Sequence, residues 1–154
     1  MTVTLRPMQP ADIPFIVEWM LTVALWQRYG LPADRTAENF KKGFERGDLL
    51  WVADSEGIVC GFAWCLLDGM FGFCPYLKLL GVHPDYRDRN IGRQLLTHIE
   101  ELAAGAGHHD LFLLVSDFNE AGQRFYQRQG YRQIGTVPHL VLPDVTEFIF
   151  WKSL

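Results

Sequence analysis

The sequence feature that most constrains the fold is a strand, turn, helix and second strand in succession between Leu77 and Val115. The first strand, L-K-L-L-G-V, ends at His83-Pro84, and proline cannot continue a strand ladder. After a polar turn, apolar residues recur at helical spacing: Ile91, Leu95, Ile99 and Leu102. The run L-F-L-L-V from Leu111 then has the length and continuous apolarity of an interior strand. This order predicts a right-handed βαβ unit whose two strands are parallel.

The remaining segments predict a mixed α/β sheet with helices on its faces. Further strands are expected at 3–6, 49–53, 58–67, 131–137 and 146–152, with the second and third of these forming an antiparallel hairpin. Further helices are expected after Gln9-Pro10, from Thr36 to Gly47 and over 119–129. The chain has no internal repeat and no linker composition, so residues 1–154 are interpreted as a single domain.

Composition narrows the classes of partner. The formal net charge of −4 argues against nucleic acid, because neutralising phosphates requires a basic surface. No apolar run approaches the roughly 20 residues that span a bilayer, and the N-terminus lacks a signal-peptide pattern. The three cysteines, Cys60, Cys65 and Cys74, lie in apolar surroundings and are interpreted as reduced thiols. These observations predict a cytoplasmic location without a membrane partner.

The turn before the predicted helix, from Arg87 to Gly92, has the composition of an anion-binding site. The first amides of a helix have no internal acceptor and carry the positive end of the helix dipole. The turn is neither a P-loop nor a dinucleotide fingerprint, because G-x-x-x-x-G-K-[ST] and G-x-G-x-x-G are both absent. We expect it to hold a phosphate-bearing ligand; the structural alternative is a polar turn whose small residue allows close helix packing.

A second set of residues extends from Asn119 to Tyr131. Either Asn119 or Asp117 could cap the helix, and Gly130 is placed to end it in a left-handed conformation. Tyr126 lies on this helix, where an isolated tyrosine is most simply a packing residue.

The two stretches together resemble the GNAT superfamily of N-acetyltransferases, which use acetyl-coenzyme A. The family's strand ending in V-x-P, followed by Arg-x-x-Gly-x-Gly/Ala opening a helix, stands here as Val82-His83-Pro84 and then Arg87 to Gly92. Its downstream pattern, Asn-x-x-Ala-x-x-Phe-Tyr-x-x-x-Gly-Phe/Tyr, is met from Asn119 to Tyr131, with Ala121 one place early. The resemblance implies a GNAT-like, mostly antiparallel central sheet with one parallel, splayed strand pair and flanking helices.

The resemblance also implies a site for acetyl-coenzyme A. Backbone groups of Leu80, Gly81 and Val82 would pair with the pantetheine arm. The pyrophosphate would lie on the turn and first helical residues: Arg87, Asp88, Arg89, Asn90, Ile91, Gly92 and Arg93. Asn119, Phe125 and Tyr126 would lie along the arm, with Tyr126 as the general acid for the departing thiolate. The chain departs from the family at Asn90, which replaces the first glycine, although asparagine tolerates left-handed backbone better than most residues.

The acceptor side is less determined by these motifs. In the family, the first two helices and the final strand pair shape the site of the acceptor amine. The resemblance therefore implies that the acceptor contacts Trp26, Tyr29, Tyr76 and His139. The strand before the turn carries no Glu or Asp that could accept the proton of the amine. The candidates for the proton acceptor are therefore Tyr76, His83, Asp117, His139 and a water chain. Tyr76 is predicted to be catalytic together with Tyr126. No metal is expected, since His108-His109-Asp110 is interpreted as a solvated turn. A homodimer through the C-terminal strands is a further implication of the resemblance.

The predicted function is therefore transfer of acetyl from acetyl-coenzyme A to a primary amine, of a small molecule or a peptide, by direct attack in a ternary complex. The first alternative is a catalytically silent acyl-CoA-binding sensor, which the missing strand carboxylate favours. A nucleotide-phosphate binder is the second alternative. Consumption of acetyl-CoA over a panel of amines separates the acetyltransferase from the silent sensor, because a sensor would bind acetyl-CoA without turnover. A comparison of thermal stabilisation by ATP and by coenzyme A tests the nucleotide-phosphate binder.

Overall fold

The predicted crossover unit is present in the computed structural model, which describes residues 1–154. Strand β4 (Cys74–Val82) is followed by helix α4 (Ile91–Gly105) and strand β5 (Asp110–Ser116), and β4 and β5 are parallel. Tyr76 pairs with Phe112, and Leu77 pairs with Leu113. The sequence prediction of a parallel strand pair joined by a helix is confirmed.

The other elements complete a seven-stranded, mostly antiparallel sheet. The further strands are β1 (Thr4–Pro7), β2 (Leu49–Ser55), β3 (Ile58–Met70), β6 (Arg132–Pro138) and β7 (Thr146–Ser153). The further helices are α1 (Ile13–Met20), α2 (Ala24–Tyr29), α3 (Ala33–Arg46) and α5 (Glu120–Arg128), with short 3-10 turns at Pro10–Asp12 and Pro84–Tyr86. The strand order is β1-β2-β3-β4-β5-β7-β6, as expected for the mixed sheet predicted from the sequence.

Two boundaries differ from the sequence expectations. Strand β3 continues to Met70 because the reversal needs only a tight turn, in which Phe71 and Gly72 adopt φ angles of 58° and 82°. Helix α3 begins at Ala33, three residues before Thr36, where the sequence predicts its start. The Thr36 hydroxyl instead donates to the Pro32 carbonyl from within the first turn, at 2.8 Å.

The chain forms two compact units. The first comprises Met1–Cys65 and Leu79–Ile99, and its core contains a cluster of aromatic rings. The Phe62 ring centroid lies 5.7 Å from that of Trp19, 6.1 Å from Trp26 and 5.6 Å from Phe40. The first two turns of α4 pack on β3, because Gly61 leaves room for Ile91 and Leu95 directly above its Cα.

The second unit comprises Leu66–Lys78 and Glu100–Leu154. Strand β7 lies between β5 and β6 and pairs with both along most of its length. On one side of it, Lys152 Nζ contacts both carboxylate oxygens of Glu100 at 3.0 Å, and the Tyr131 hydroxyl donates to the same carboxylate at 2.9 Å. The Lys152 and Glu100 side chains are only 27% and 14% exposed, so this ion pair is partly shielded from solvent screening.

All three cysteines are free thiols, as expected from their apolar surroundings. None of the helices is long and apolar enough to cross a membrane.

Candidate active site

The anion-binding turn of the first unit is shaped by two residues with left-handed backbone. After the 3-10 turn at Pro84–Tyr86, Asp88 has a φ angle of 59° and Asn90 one of 64°. Helix α4 then begins at Ile91, and its first helical hydrogen bond joins the Gln94 amide to the Asn90 carbonyl at 3.1 Å. The amides of residues 91–93 precede this bond and have no acceptor one turn earlier. Asn90, which stands where the family pattern has a glycine, thus has a left-handed backbone, the region that favours glycine.

Positive charge surrounds this turn. Arg87, Arg89 and Arg93 are exposed, and the Arg89 guanidinium lies over the Tyr86 ring at 5.3 Å from its centroid. Exposed guanidinium groups beside unpaired helix amides are the combination that binds phosphate in proteins. The residues of the turn therefore fit a pyrophosphate group.

The C-terminal half of β4 leads directly into the turn and rests on the aromatic cluster. A Cβ added at Gly81 would lie 2.6 Å from Trp26 and 2.7 Å from Phe62. Trp26, predicted to contact the acceptor, is 7% exposed and supports the strand from below. Tyr29, predicted to do the same, is half-buried in the last turn of α2.

In the second unit, helix α5 begins at Glu120 with an asparagine cap. The Asn119 side-chain oxygen accepts a hydrogen bond from the Gly122 amide at 3.0 Å, which decides between the two caps left open by the sequence. Asp117 instead accepts from the Thr146 amide of β7 at 3.1 Å. Gln123 joins α5 to the end of β5 by donating to the Ser116 and Asp117 carbonyls. These bonds fix the helix that carries Phe125 and Tyr126.

The Tyr126 ring is held between two other aromatic rings. The Phe125 and Tyr131 centroids lie 5.1 Å and 5.7 Å from it, both edge to face. Burial raises the pKa of the Tyr126 hydroxyl above its usual value, and the nearby Tyr76 adds a smaller effect in the same direction. The hydroxyl is therefore neutral and able to donate a proton throughout the physiological range.

Tyr76 and Glu147 lie close together in the same unit. Burial first, and then the negative charge of Glu147, raise the pKa of Tyr76 to about 12. Glu147 lies in β7 opposite Val137 of β6 and Ser116 of β5, and it is 5% exposed. It is a carboxylate that sequence reasoning missed, although it is the one acidic residue in the apolar strand T-E-F-I-F-W.

The other candidates for proton acceptor are engaged in local structure. His83 accepts a hydrogen bond from the Asp85 amide at 3.1 Å, and its ring stacks on Phe15 with 5.9 Å between centroids. His139 has a φ angle of 61° in the loop after β6, and its Nδ1 contacts the Pro143 carbonyl. No cluster of three or more His, Cys, Asp or Glu side chains could hold a metal ion.

Comparisons with known proteins agree with this arrangement. Residues 14–131 match the model of the acetyltransferase (GNAT) family. The chain is 25% identical over 139 residues to L-amino acid N-acyltransferase MnaT of Escherichia coli K12, covering 88% of this chain and 77% of that protein.

Two solved structures have the same fold. A GNAT-family acetyltransferase of Desulfovibrio desulfuricans superimposes with a TM-score of 0.82 at 18% identity over 99% of both chains. The PaiA N-acetyltransferase of Thermoplasma acidophilum, solved with coenzyme A, superimposes with a TM-score of 0.78 at 19% identity over the full length of both chains. With its turn, its tyrosine-bearing helix and its family match, the chain belongs to the GNAT family of acetyltransferases, which transfer acetyl from acetyl-coenzyme A.

Proposed function

We propose that this enzyme acetylates a primary amine by direct attack on the thioester of acetyl-coenzyme A, with Tyr126 as the proton donor to the departing sulfur. The observation that carries the proposal is the half-buried Tyr126 side chain, whose neutral hydroxyl is favoured by its surroundings and whose ring is held between two aromatic rings on a capped helix. A general acid must be protonated when the leaving group departs, and burial favours that form.

The residues for acetyl-coenzyme A follow from the family pattern and from the geometry of the first unit. The turn and first amides of α4, from Arg87 to Arg93, would hold the pyrophosphate, and the exposed arginines would neutralise its charge. The backbone of Leu80, Gly81 and Val82 would pair with the pantetheine arm. Asn119, which caps the helix that carries Tyr126, and Phe125, which directly precedes Tyr126, are proposed to contact that arm as well.

The proposed reaction balances with one proton donor and one proton acceptor. The neutral amine forms a C–N bond to the acetyl carbonyl carbon, the C–S bond breaks, and Tyr126 gives its proton to sulfur. The ammonium form of the amine loses one proton to the acceptor before it attacks. After the C–N bond has formed the nitrogen loses a second proton, which restores the Tyr126 hydroxyl, so that one proton is released to solvent overall. Holding both reactants in place supplies much of the rate enhancement, up to roughly 7–11 kcal/mol in favourable systems.

The principal alternative is a silent acyl-CoA sensor. Its support was the absence of a carboxylate on the strand before the turn, where Tyr76 and Lys78 stand. Glu147 weakens that support, because it places a carboxylate beside Tyr76 within the second unit. The name of the E. coli relative, an L-amino acid N-acyltransferase, also supports an amine acceptor. We further propose that residues 1–154 form one acetyltransferase domain, since the family match includes residues of both units.

The test removes the proposed acid and keeps the ring. Tyr126→Phe is expected to lower kcat at least about tenfold, since general acid catalysis contributes about 10²–10⁴-fold, while the Kd for coenzyme A stays unchanged. The control is Tyr131→Phe, which removes a hydroxyl bonded to Glu100 from the neighbouring ring and is expected to keep kcat. Steady-state kinetics and calorimetric titration make the measurements. An unchanged kcat in Tyr126→Phe would exclude it as the acid.

A further inference from the structure

The second unit contains a cavity of about 290 Å³ on the face of the sheet that carries Tyr76. Its lining is apolar except for the Tyr76 hydroxyl, and its side chains include Met70, Phe112, Val137, Leu140 and Ile149. A cavity of about 150 Å³ is enough to hold benzene, so this one has room for a ring or a short alkyl chain with its linking carbons. It is small for a folded or extended polypeptide and of suitable size for one small molecule.

Strand register places Glu147 on the same face as the cavity. Glu147 lies directly opposite Val137 on β6 and two residues from Ile149 on β7, and both of these residues line the cavity. Residues opposite each other in neighbouring strands share a face, as do residues two apart in one strand. The effect of Glu147 on Tyr76, another lining residue, agrees with this placement. Glu147 therefore lies on the cavity's face of the sheet, next to the lining residues Val137 and Ile149.

The mouth of the cavity is apolar as well. Leu140, in the loop after β6, lines the cavity and is 50% exposed. The exposed Phe71 ring, in the turn after β3, lies edge to face on the lining residue Phe112 with 5.9 Å between centroids. Large apolar side chains left exposed around a concave site are typical of ligand-binding surfaces.

We propose that this cavity binds the apolar side chain of a small primary amine and that Glu147 binds its ammonium group and accepts the proton released before attack. The proposal rests on the proposed acetyltransferase function and names the class of its acceptor. Apolar lining selects the side chain by removing its surface from water, and a buried carboxylate selects a cation over a neutral group of the same shape. Tyr76 would contact the same amine from the cavity wall.

The first experiment compares two amines of equal length on the wild-type enzyme. Hexylamine and 1,5-diaminopentane differ in having a methyl group or a second ammonium at the far end. Burying the terminal methyl group favours binding by about fourfold, and burying a second ammonium in an apolar lining opposes it. We therefore expect kcat/KM for hexylamine to exceed that for the diamine at least about tenfold. Calorimetric titration of each amine without acetyl-coenzyme A is expected to show the same order of Kd. Equal or better use of the diamine would overturn the proposal.

Two aspartate variants in one loop test the cavity itself. Leu140→Asp places a carboxylate at the mouth and is expected to reduce or reverse the preference for hexylamine. Val141→Asp is the matched control, because Val141 is 61% exposed and does not line the cavity. We expect it to keep the wild-type preference. The same shift in both variants would show that the cavity does not select the acceptor.

The role of Glu147 is tested with a neutral ligand of the same shape. The wild-type protein is expected to bind 2-phenylethylamine at least about tenfold more tightly than 2-phenylethanol, and Glu147→Gln is expected to remove that difference. Glu120→Gln, whose carboxylate is 80% exposed on α5, is the control and is expected to retain it. If no amine is acetylated although acetyl-coenzyme A binds, the proposed function fails. The Kd values of the ligands, measured by calorimetry, then test separately whether the cavity binds apolar amines. Equal Kd values within each pair of ligands would overturn the proposal for the cavity.

Discussion

At the scale of single residues, Asn90 has a left-handed backbone at the position of the predicted anion-binding turn where the family pattern has a glycine. Its φ angle of 64° is in the left-handed region, which most residues avoid because their Cβ comes too close to the following carbonyl oxygen. Asparagine is among the few residues with a side chain that tolerate this conformation, because its short amide can bond locally. The substitution seen in the sequence is therefore compatible with the turn that the resemblance implied.

This conformation gives a prediction about stability. We expect Asn90→Gly to change the free energy of unfolding by no more than about 0.5 kcal/mol, since glycine reaches the same φ without a steric cost. Asn90→Ala is expected to lose about 1 kcal/mol relative to the glycine variant, because alanine has the steric penalty without the compensating side chain. Urea titration at 25 °C checks both values. Equal stability of the two variants would contradict a left-handed Asn90.

Glu147 shows what residue-level sequence reasoning could not find. It is about 70 residues after Tyr76 in the chain, and no spacing rule connects the two. Strand pairing brings both to one face of the sheet: Tyr76 lies opposite Phe112 and Glu147 lies opposite Ser116, and Phe112 and Ser116 belong to one row of side chains along β5. Such a row depends on register, which the hydrophobic pattern of one strand does not specify.

At the scale of elements, β4 is positioned by the aromatic cluster of the first unit. Gly81 lies very close to Trp26 and Phe62. A side chain at position 81 would prevent the strand from packing this closely against the aromatic cluster. The strand then leads through His83-Pro84 into the anion-binding turn. Packing beneath Gly81 thus supports the backbone proposed to pair with the pantetheine arm.

Substituting this glycine is expected to destabilise the protein. Gly81→Ala places a methyl group 2.6 Å from Trp26, and overpacking of this kind costs about 1–3 kcal/mol. Gly105→Ala, in the last turn of α4, meets nothing within 4 Å and is expected to be neutral or stabilising by up to about 1 kcal/mol. Thermal and urea unfolding of the two variants make the comparison. A Gly81→Ala protein as stable as the wild type would show that the cluster is not tightly packed against the strand.

At the scale of the whole molecule, ligand binding and stability are linked. A ligand at 100 times its Kd stabilises the folded state by about 2.7 kcal/mol, provided that it binds only that state. For a chain of about 150 residues this corresponds to a rise in Tm of roughly 5–10 °C. We expect acetyl-coenzyme A to produce such a rise and ATP at the same concentration to produce a smaller one.

A variant of the turn identifies where the ligand acts. The double variant Arg87→Ala/Arg89→Ala is expected to lose most of the shift in Tm, because two charged contacts to the pyrophosphate are removed. Arg35→Ala, on the exposed surface of α3, is expected to retain it. A larger shift with ATP than with acetyl-coenzyme A would favour the nucleotide-phosphate binder instead.

The sequence by itself determined the order of the strands and most of the helices, the parallel crossover unit, the turn before α4 and the family. These are local properties: hydrophobic period, proline and glycine positions and motif spacing lie within a few residues of one another. The tertiary structure alone decided that Asn119 caps α5, that Trp26 supports β4 from the core, and that Glu147 and Tyr76 lie together near an apolar cavity. Those results depend on strand register and side-chain packing between segments distant in the chain, and the periodicity of a single segment does not encode either.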